Sequence, residues 1–252
     1  MNATPAFYLG TDRAHWLAEL DVPLFVSRRT LAGRKTFPRA TTGWALDSGG
    51  FTEIHKTGCW ALPAAAYAAE AQRFADEIGN LDWAAPQDWM CEETALQATG
   101  LSISDHQRRT TDNFLELREL MGPLVIPVVQ GWERDDYLRH VDQYQAAGVS
   151  LENEQRVGVG SICRRHADQQ IGAVLHALQP LRLHAFGVKG SAFAHYRDWI
   201  TSADSMAWSA TARRGDIRLP GCQHRGRCSH CSRWALRWRA NLLRRLDQHR
   251  LF

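Results

Sequence analysis

The C-terminal part of the chain concentrates residue types that bind transition metals. Three of the six cysteines, Cys222, Cys228 and Cys231, fall within ten residues. Two cysteines separated by two residues can direct both thiolates at one ion from a single tight turn, and a third cysteine just upstream adds another ligand. Together with one imidazole they have the composition of a tetrahedral structural site. We therefore predict that this segment binds a zinc ion.

The fourth ligand of the predicted zinc site is a histidine. His224 and His230 lie beside the cysteines, whereas His249 follows a helical segment that could fold back toward them. We predict His249, because the close spacing of His224 and His230 leaves them geometrically cramped. His224 and His230 stay as alternatives. Four protein ligands leave no open coordination position, so the predicted role of the zinc is structural.

The same segment is strongly basic. From residue 213 onward the chain has eleven arginines, no lysine and two aspartates, so this segment carries +9 while residues 1–212 carry −6. Arginine forks bind phosphates, and the tryptophans interleaved with them can stack on bases. We predict contact with nucleic acid rather than a merely solvated helix face. The predicted contact residues are Arg213, Arg214, Arg237, Arg244 and Arg245.

A second group of polar residues and glycines lies at the ends of short hydrophobic runs. Asp47, Asp88 and Gln130 each end or follow such a run, and Gly158 and Gly160 close another. Each position alone is also a good turn or strand exit. Because parallel strands of a barrel end at one rim, where barrel enzymes carry their active sites, the repetition predicts a functional site at that rim.

These runs alternate with helical stretches along the chain. The predicted strands lie at 7–9, 23–26, 44–46, 82–86, 124–129, 156–160, 181–188 and 203–208. The predicted helices lie at 13–20, 63–78, in a long region that ends at 120, and at 135–147, 167–178 and 195–200. About eight alternating strands predict an α/β fold of the (β/α)8 barrel type, with a doubly wound open sheet as the alternative.

The predicted barrel occupies residues 1–212, and a small zinc-binding, arginine-rich subdomain occupies residues 213–252. No Gly-x-Gly-x-x-Gly follows the first strand, and the chain has no P-loop, which argues against a dinucleotide or mononucleotide fold. With 252 residues, 44% of them hydrophobic, the chain can bury a substantial core. No apolar run is long enough for a membrane span, and the N-terminus lacks signal-peptide features. We expect a cytoplasmic protein without membrane association.

With these residues in place, the chain resembles the tRNA-guanine transglycosylase superfamily, and most closely its branch that inserts 7-deazaguanines into DNA. Asp47-Ser48-Gly49-Gly50-Phe51 matches the family's Asp-Ser-Gly-Gly-Phe motif, and Asp88 resembles its base-reading aspartate. Val128-Val129-Gln130-Gly131 is similar to its Val-Gln-Gly, and Val157-Gly158-Val159-Gly160 stands in place of its glycine loop. Asp204-Ser205-Met206 falls where the family carries its nucleophilic aspartate.

The resemblance implies a role for each of these residues. Asp204 would attack C1′ of a guanosine or deoxyguanosine and form a covalent glycosyl–enzyme intermediate, and Asp47 would act as the general acid/base. The incoming base would be a 7-deazaguanine of the preQ0 type. Its implied binding residues are Ser48, Asp88, Gln130, Gly131, Gly158 and Gly160.

Departures from the tRNA enzymes favour DNA as the substrate. The Pro-Thr-Arg that follows their nucleophile is replaced by Trp208-Ser209-Ala210, and the first two cysteines are spaced further apart. Three alternatives stay open: tRNA-guanine exchange, a catalytically silent zinc-containing nucleic-acid-binding barrel, and a hydrolase that uses water as acceptor. A homodimer and accessory DNA-modification proteins are open as partners.

Overall fold

The computed structural model describes residues 4–163, 165, 168–188 and 190–248, which form eight strands and eleven α-helices. The strands are β1 (Ala6–Thr11), β2 (Leu24–Ser27), β3 (Trp44–Asp47), β4 (Leu81–Ala84), β5 (Val128–Val129), β6 (Val157–Val159), β7 (Leu183–Ala185) and β8 (Ser202–Ser205). The helices are α1 (Trp16–Glu19), α2 (Arg28–Leu31), α3 (Gly50–Thr57), α4 (Ala64–Ile78), α5 (Glu93–Thr99), α6 (Ile103–Met121), α7 (Arg134–Ala146), α8 (Asp168–Ala177), α9 (Gly190–Tyr196), α10 (Ala207–Arg214) and α11 (Ser232–Gln248).

All eight strands run parallel in one sheet, in the order β4-β3-β2-β1-β8-β7-β6-β5. The sheet curls until its two outer strands approach each other through a single parallel bridge between Ala84 and Val125. Beside this bridge, the Ile126 N–H donates to the Ala84 carbonyl at 3.1 Å. The predicted α/β fold with eight alternating parallel strands is therefore confirmed. Closure of the curled sheet depends on that one bridge.

Alternation of side chains along the strands separates two parts of the core. On β1, Phe7 and Leu9 pack outward against the helices, in the main hydrophobic cluster. Tyr8 between them points to the inside of the curled sheet, where it packs with Trp83 and Ile126. This period of two is what parallel strands covered by helices require. The interior of the sheet is thus filled with side chains such as Tyr8 and Trp83, and a pocket lies toward the carboxyl ends.

Several predicted element bounds are wrong. The strand predicted at 124–129 keeps only Val128–Val129, because Gly122–Leu124 forms a 3-10 turn and Pro127 has no N–H to donate to a neighbouring strand. The strand predicted at 203–208 ends at Ser205, whose hydroxyl accepts from the Ala207 N–H at the start of α10. The helix predicted at 195–200 instead ends at Tyr196.

The C-terminal segment packs directly on the rest of the fold. α11 contacts α9 and α10, and its Ala235, Leu242 and Leu246 belong to the main hydrophobic cluster. The indole of Trp234 donates to the Trp208 carbonyl at 2.9 Å, which ties α11 to α10. The boundary predicted at residue 212 falls inside α10, and the division into two domains stays a prediction.

Candidate active site and metal centre

Asp47 is the last residue of β3 and faces the open end of the curled sheet. The chain leaves the strand through Ser48 and Gly49, and Gly49 has a left-handed φ of 82° before α3 begins at Gly50. Burial raises the pKa of Asp47, and the nearby Asp204 carboxylate raises it further, against hydrogen bonds from the Ser27 side chain and the Gly49 backbone. Asp47 is therefore more easily protonated than an ordinary aspartate, which suits a group that transfers protons.

Asp88 is held by a chain of hydrogen bonds that reaches across the site. The Gln130 Nε2 donates to Asp88 Oδ2 at 2.5 Å, and Gln130 Oε1 accepts from the Ser161 hydroxyl at 2.7 Å. The Ser161 hydroxyl in turn accepts from the Cys91 N–H at 2.7 Å. Burial raises the pKa of Asp88 to about 7, and the Asp47 carboxylate adds to this shift while the Gln130 hydrogen bond opposes it.

The main chain of Gln130 is fixed from behind. Its N–H donates to His140 Nδ1 at 2.7 Å, and its carbonyl accepts from Gln107 Nε2, also at 2.7 Å. Burial lowers the pKa of His140 to about 3, so that the imidazole is neutral and can accept through Nδ1. The orientation of Asp88 is therefore set by buried residues of α6 and α7, which lie behind the site.

The predicted glycines have different surroundings. A Cβ on Gly160 would overlap the Gln130 carboxamide, so this position must be glycine if Gln130 is to reach Asp88. A Cβ on Gly158 would come within 2.5 Å of the Phe186 ring, and one on Gly131 within 2.7 Å of the Asp136 Cβ. Gly160 lies at the site, whereas Gly158 and Gly131 allow close packing one layer away from it.

Asp204 lies in β8, paired in register with Tyr8 of β1. Its Oδ1 accepts from the Gly187 N–H at 2.9 Å and lies 3.3 Å from His184 Nε2. The side chain is largely buried but reaches the open end of the sheet. Two donors therefore fix this carboxylate from the β7 side.

A pocket of about 280 Å³ brings these groups together at the carboxyl ends of the strands. Asp47, Asp88, Gly160 and Asp204 line it, together with Glu92. Its described lining residues contain four carboxylates and no lysine, arginine or histidine. Among the described residues, Ser48, Gln130, Gly131 and Gly158 do not line the pocket; Ser48 is buried in the turn after Asp47. The pocket therefore offers mainly hydrogen-bond acceptors.

Sequence reasoning missed several residues of this site. Ser161 completes the hydrogen-bond chain, with a left-handed φ of 56°, and it directly follows the glycine pair that marked the strand end. Glu92 is a buried acid in the pocket wall, 3.6 Å from the Cys163 sulfur. His184 lies beneath Asp204 on β7. The only sequence signal for these residues is a polar side chain within or just after a hydrophobic strand.

The predicted metal cluster is assembled in the structure. Cys222, His224, Cys228 and Cys231 place one ligand atom each within 4.8 Å of one another. The Cys222 sulfur lies 3.8 Å from that of Cys228 and 3.7 Å from that of Cys231, and His224 Nε2 lies 3.5 Å from the Cys228 sulfur. Metal–ligand bonds of about 2.3 Å to sulfur and 2.0–2.1 Å to nitrogen at tetrahedral angles would separate the ligand atoms by about 3.8 and 3.6 Å. The four residues thus fit a tetrahedral metal ion.

The fourth ligand brought to the cluster is His224, one of the two alternatives. His230 points elsewhere, with its Nδ1 3.1 Å from Asp12 Oδ2. The predicted ligand His249 lies outside the described residues. His224 reaches the cysteines because Gly221 and Gly226, with left-handed φ of 72° and 76°, turn the chain back on both sides of it.

The predicted nucleic-acid contacts all lie at the surface. Arg213 and Arg214 are exposed at the end of α10, and Arg237, Arg244 and Arg245 are exposed on α11. The spacing of Arg237 and Arg244, seven residues apart, places both on one face of α11. The helix therefore presents a basic face, while Leu242 and Leu246 bury its other side.

An eight-stranded parallel sheet with buried carboxylates at the ends of its strands is the architecture of an α/β enzyme whose site lies at the carboxyl edge. Residues 3–251 match the family described as "DeoxyPurine in DNA protein A" (DpdA). The chain belongs to this family, which confirms the resemblance to the tRNA-guanine transglycosylase-like proteins of DNA modification. At the level of the family, the activity is that of a transglycosylase that modifies DNA with 7-deazaguanines.

Other comparisons add little. No curated protein matches the chain. Among solved structures, the chain is similar to the "Putative Copper Homeostasis Protein CutC" of Streptococcus agalactiae, with 12% identity over 81% of this chain and 98% of that chain. The TM-score of 0.39 is too low for any argument from that similarity. Among the described residues, the helices include none that is both long and apolar enough to cross a bilayer.

Proposed function

We propose that this protein exchanges guanine in DNA for a 7-deazaguanine of the preQ0 type, through a covalent glycosyl–enzyme intermediate. One observation carries the proposal: Asp47 of β3, Asp204 of β8 and Asp88 of the loop after β4 line one pocket whose described wall holds no cationic side chain. Family membership supports the class of reaction. The acceptor-rich pocket supports a ligand with many N–H donors, as a guanine-type base has.

In the proposed first step, an oxygen of Asp204 attacks C1′ of the target nucleotide. A glycosyl ester bond forms, the C1′–N9 bond breaks, and the electron pair goes to the departing guanine, which takes a proton from Asp47. In the second step, the incoming base gives its N9 proton to Asp47, and N9 attacks C1′ and releases the Asp204 carboxylate. Two displacements at the same carbon retain the stereochemistry. Asp47 regains in the second step the proton that it gave in the first, so the enzyme returns to its starting state.

We propose that Asp88 reads the N–H edge of the base, with the Gly160 backbone as a second contact. Gln130 would act through Asp88, because its carboxamide is occupied by Asp88 and Ser161. Ser48, Gly131 and Gly158 would shape the wall rather than touch the base, since they lie outside the pocket lining. The target base must leave the stack before the pocket can hold it, and flipped bases are bound in this way by other enzymes.

We propose that the cluster of Cys222, His224, Cys228 and Cys231 binds zinc in a structural role. Three thiolates and an imidazole suit zinc, and the closed set leaves no position for a substrate. The exposed arginines of α10 and α11 would contact the DNA backbone. We also propose that the curled sheet functions as a closed (β/α)8 barrel, because the Ala84–Val125 bridge joins its outer strands.

The proposal is tested by supplying cells that express the protein with a 7-deazaguanine and then analysing nucleosides by mass spectrometry. The modified base is expected in DNA and absent from tRNA, and the Asp204→Asn variant serves as the matched control. Modification of tRNA alone would establish the tRNA enzyme instead. Release of guanine without incorporation would indicate a hydrolase, and neither modification nor guanine release by the wild type would favour a silent nucleic-acid-binding protein.

A further inference from the structure

A histidine that takes no part in the steps above lies directly beneath Asp204. His184 belongs to β7, and its side chain is fully buried inside the curled sheet. Aromatic rings surround it, with ring centroids 4.6 Å away in Trp83, 4.8 Å in Phe186 and 6.0 Å in Phe25. A polar ring in such surroundings is costly unless both nitrogens find partners.

Both ring nitrogens of His184 have partners, and these partners define one tautomer. Nε2 lies 3.3 Å from Asp204 Oδ1, and Nδ1 lies 2.9 Å from the Ser202 hydroxyl. An ionised carboxylate only accepts hydrogen bonds, so Nε2 must carry the proton, and Nδ1 must accept from the Ser202 O–H. Burial lowers the pKa of His184 despite the opposing effect of Asp204, so the ring is neutral near neutral pH.

The two donors to Asp204 act on the same oxygen. The Gly187 N–H and His184 Nε2 both contact Oδ1, and among the described residues no donor is found for Oδ2. Oδ1 is thus held on the β7 side, which leaves Oδ2 as the oxygen available for reaction in the pocket that Asp204 lines. A neutral donor can fix the carboxylate in this way without forming an ion pair. An ion pair would offset the charge of the carboxylate and weaken it as a nucleophile.

We propose that His184, set in its tautomer by Ser202, is a positioning residue that presents Asp204 Oδ2 to the sugar carbon. The proposal rests on the proposed function, in which Asp204 is the nucleophile. Reactions of this kind depend strongly on the placement of the attacking atom, and a misplacement of about 1 Å can cost about 10²-fold in rate.

Four variants separate positioning from simple packing. His184→Phe keeps the ring volume and removes both hydrogen bonds. His184→Asn retains an amide near the Ser202 hydroxyl but cannot reach Asp204, whereas His184→Gln can place its Nε2 where the imidazole Nε2 lies. Ser202→Ala leaves the histidine but removes the group that selects its tautomer.

Base exchange is measured with labelled guanine and DNA in single-turnover reactions, on variants whose circular dichroism and metal content match wild type. We expect the rate to fall about 10²-fold in His184→Phe and His184→Asn, with partial recovery in His184→Gln and a loss of about 10-fold in Ser202→Ala. The KM for the incoming base should change little, because His184 does not line the pocket. Wild-type rates in folded His184→Phe would overturn the inference, as would a loss that appears only in KM.

A second measurement keeps the inference independent of the activity. Nitrogen-15 NMR of the histidine rings is expected to show His184 as a neutral imidazole protonated at Nε2 in wild type, and as a mixture of tautomers in Ser202→Ala. A neutral Nδ1–H tautomer or an imidazolium at neutral pH would overturn the proposed hydrogen bond even if exchange were active. Absence of exchange in wild type on both DNA and tRNA would instead overturn the proposed function, while the NMR result would still decide the hydrogen bond.

Discussion

The candidate pocket and the cysteine cluster both gather ionisable side chains, but from very different distances along the chain. The cluster takes its four ligands from Cys222 to Cys231, whereas the pocket combines Asp47 of β3 with Asp204 of β8. The cluster needs little beyond one loop with two left-handed glycines. The pocket needs the sheet in register, because Asp47 and Asp204 are placed by the strands that carry them.

The two regions also differ in how charge is balanced. The pocket keeps carboxylates close to one another with no cation in its described wall, so burial and mutual repulsion raise the pKa values of Asp47 and Asp88. The cluster is a set of ligands that an ion would neutralise. Removing one acid from the pocket should therefore relieve repulsion and spare the fold. Removing one cysteine should lose the ion and the stability that comes with it.

The largest expected effect is that of Asp204→Asn on base exchange. The rate should fall by about 10³-fold or more, since a neutral amide cannot form the glycosyl ester. No covalent protein–DNA complex should be trapped. The melting temperature should stay within a few degrees of wild type, because Asn can still accept from the Gly187 N–H. Retention of wild-type exchange by this variant would remove Asp204 from the mechanism.

Cys228→Ser should have the next largest effect, on the metal centre. Wild type is expected to hold about one zinc per chain, and the variant close to none, with a lower melting temperature, because the ion stabilises the folded loop. Metal analysis and calorimetry measure both quantities. Cys59→Ser is the matched control, since Cys59 is exposed and lies outside the cluster. A folded wild-type protein that contains no zinc after expression in zinc-supplemented cells would contradict the assignment.

The same analysis tests the fourth ligand. His224→Ala should lower the metal content, since His224 lies 3.5 Å from the Cys228 sulfur. His230→Ala should leave it unchanged. His249→Ala, which the sequence alone predicts to lose metal, is the direct competitor of His224→Ala. Metal loss in His249→Ala but not in His224→Ala would return the assignment to His249.

A smaller effect is expected when Arg237, Arg244 and Arg245 are changed together to Ala. Affinity for duplex DNA should fall at all sequences, and the slope of log K against log salt should become shallower by about 3, because each phosphate contact releases counterions. The control changes three exposed arginines outside the C-terminal segment, Arg34, Arg108 and Arg134. Equal slopes for the two triple variants would show that the α11 arginines are only solvated.

The last expected effect is on stability alone, and it is the pH dependence that Asp88 gives to unfolding. Its folded pKa of about 7 lies above the ordinary value of 3.8, so the folded state binds the proton more tightly than the unfolded state. This contribution is complete below pH about 4 and is lost as pH rises to about 7, with a slope of up to about 1.4 kcal/mol per pH unit. Denaturant unfolding at several pH values measures it. Asp88→Asn should remove this component, and an unchanged profile would contradict it.

The sequence predicts the cysteine cluster better than the pocket, because the cluster ligands are close together in the chain and the pocket residues are far apart. Spacing alone was enough to find Cys222, Cys228 and Cys231, because their ligand geometry is set locally. Spacing was not enough to choose between His224 and His249, since the direction of an imidazole depends on the turns around it. The structure brings His224 to the cysteines, whereas His249 lies outside the described residues.

In the pocket, family motifs identified Asp47, Asp88 and Asp204, and strand ends indicated a common rim. Ser161 and His184 were beyond reach, because their partners are 31 and 20 residues away and on other strands. The alternation of strands and helices predicted the sheet. The predicted strand bounds were wrong near Pro127 and Ser205. Pro127 has no N–H to donate to a neighbouring strand, and the Ser205 hydroxyl accepts from the Ala207 N–H at the start of the next helix.

The position of β8 ties the continuity of the sheet to the pocket. β8 lies between β7 and β1, and it joins the strands β1 to β4 to the strands β5 to β7. Without it, the pairing that joins the two groups among the described residues is the Ala84–Val125 bridge, with the Ile126 N–H to Ala84 carbonyl hydrogen bond beside it. The strand that unites the sheet is also the one that carries Asp204. A sheet that lost β8 would therefore lose its continuity and the Asp204 side of the pocket together.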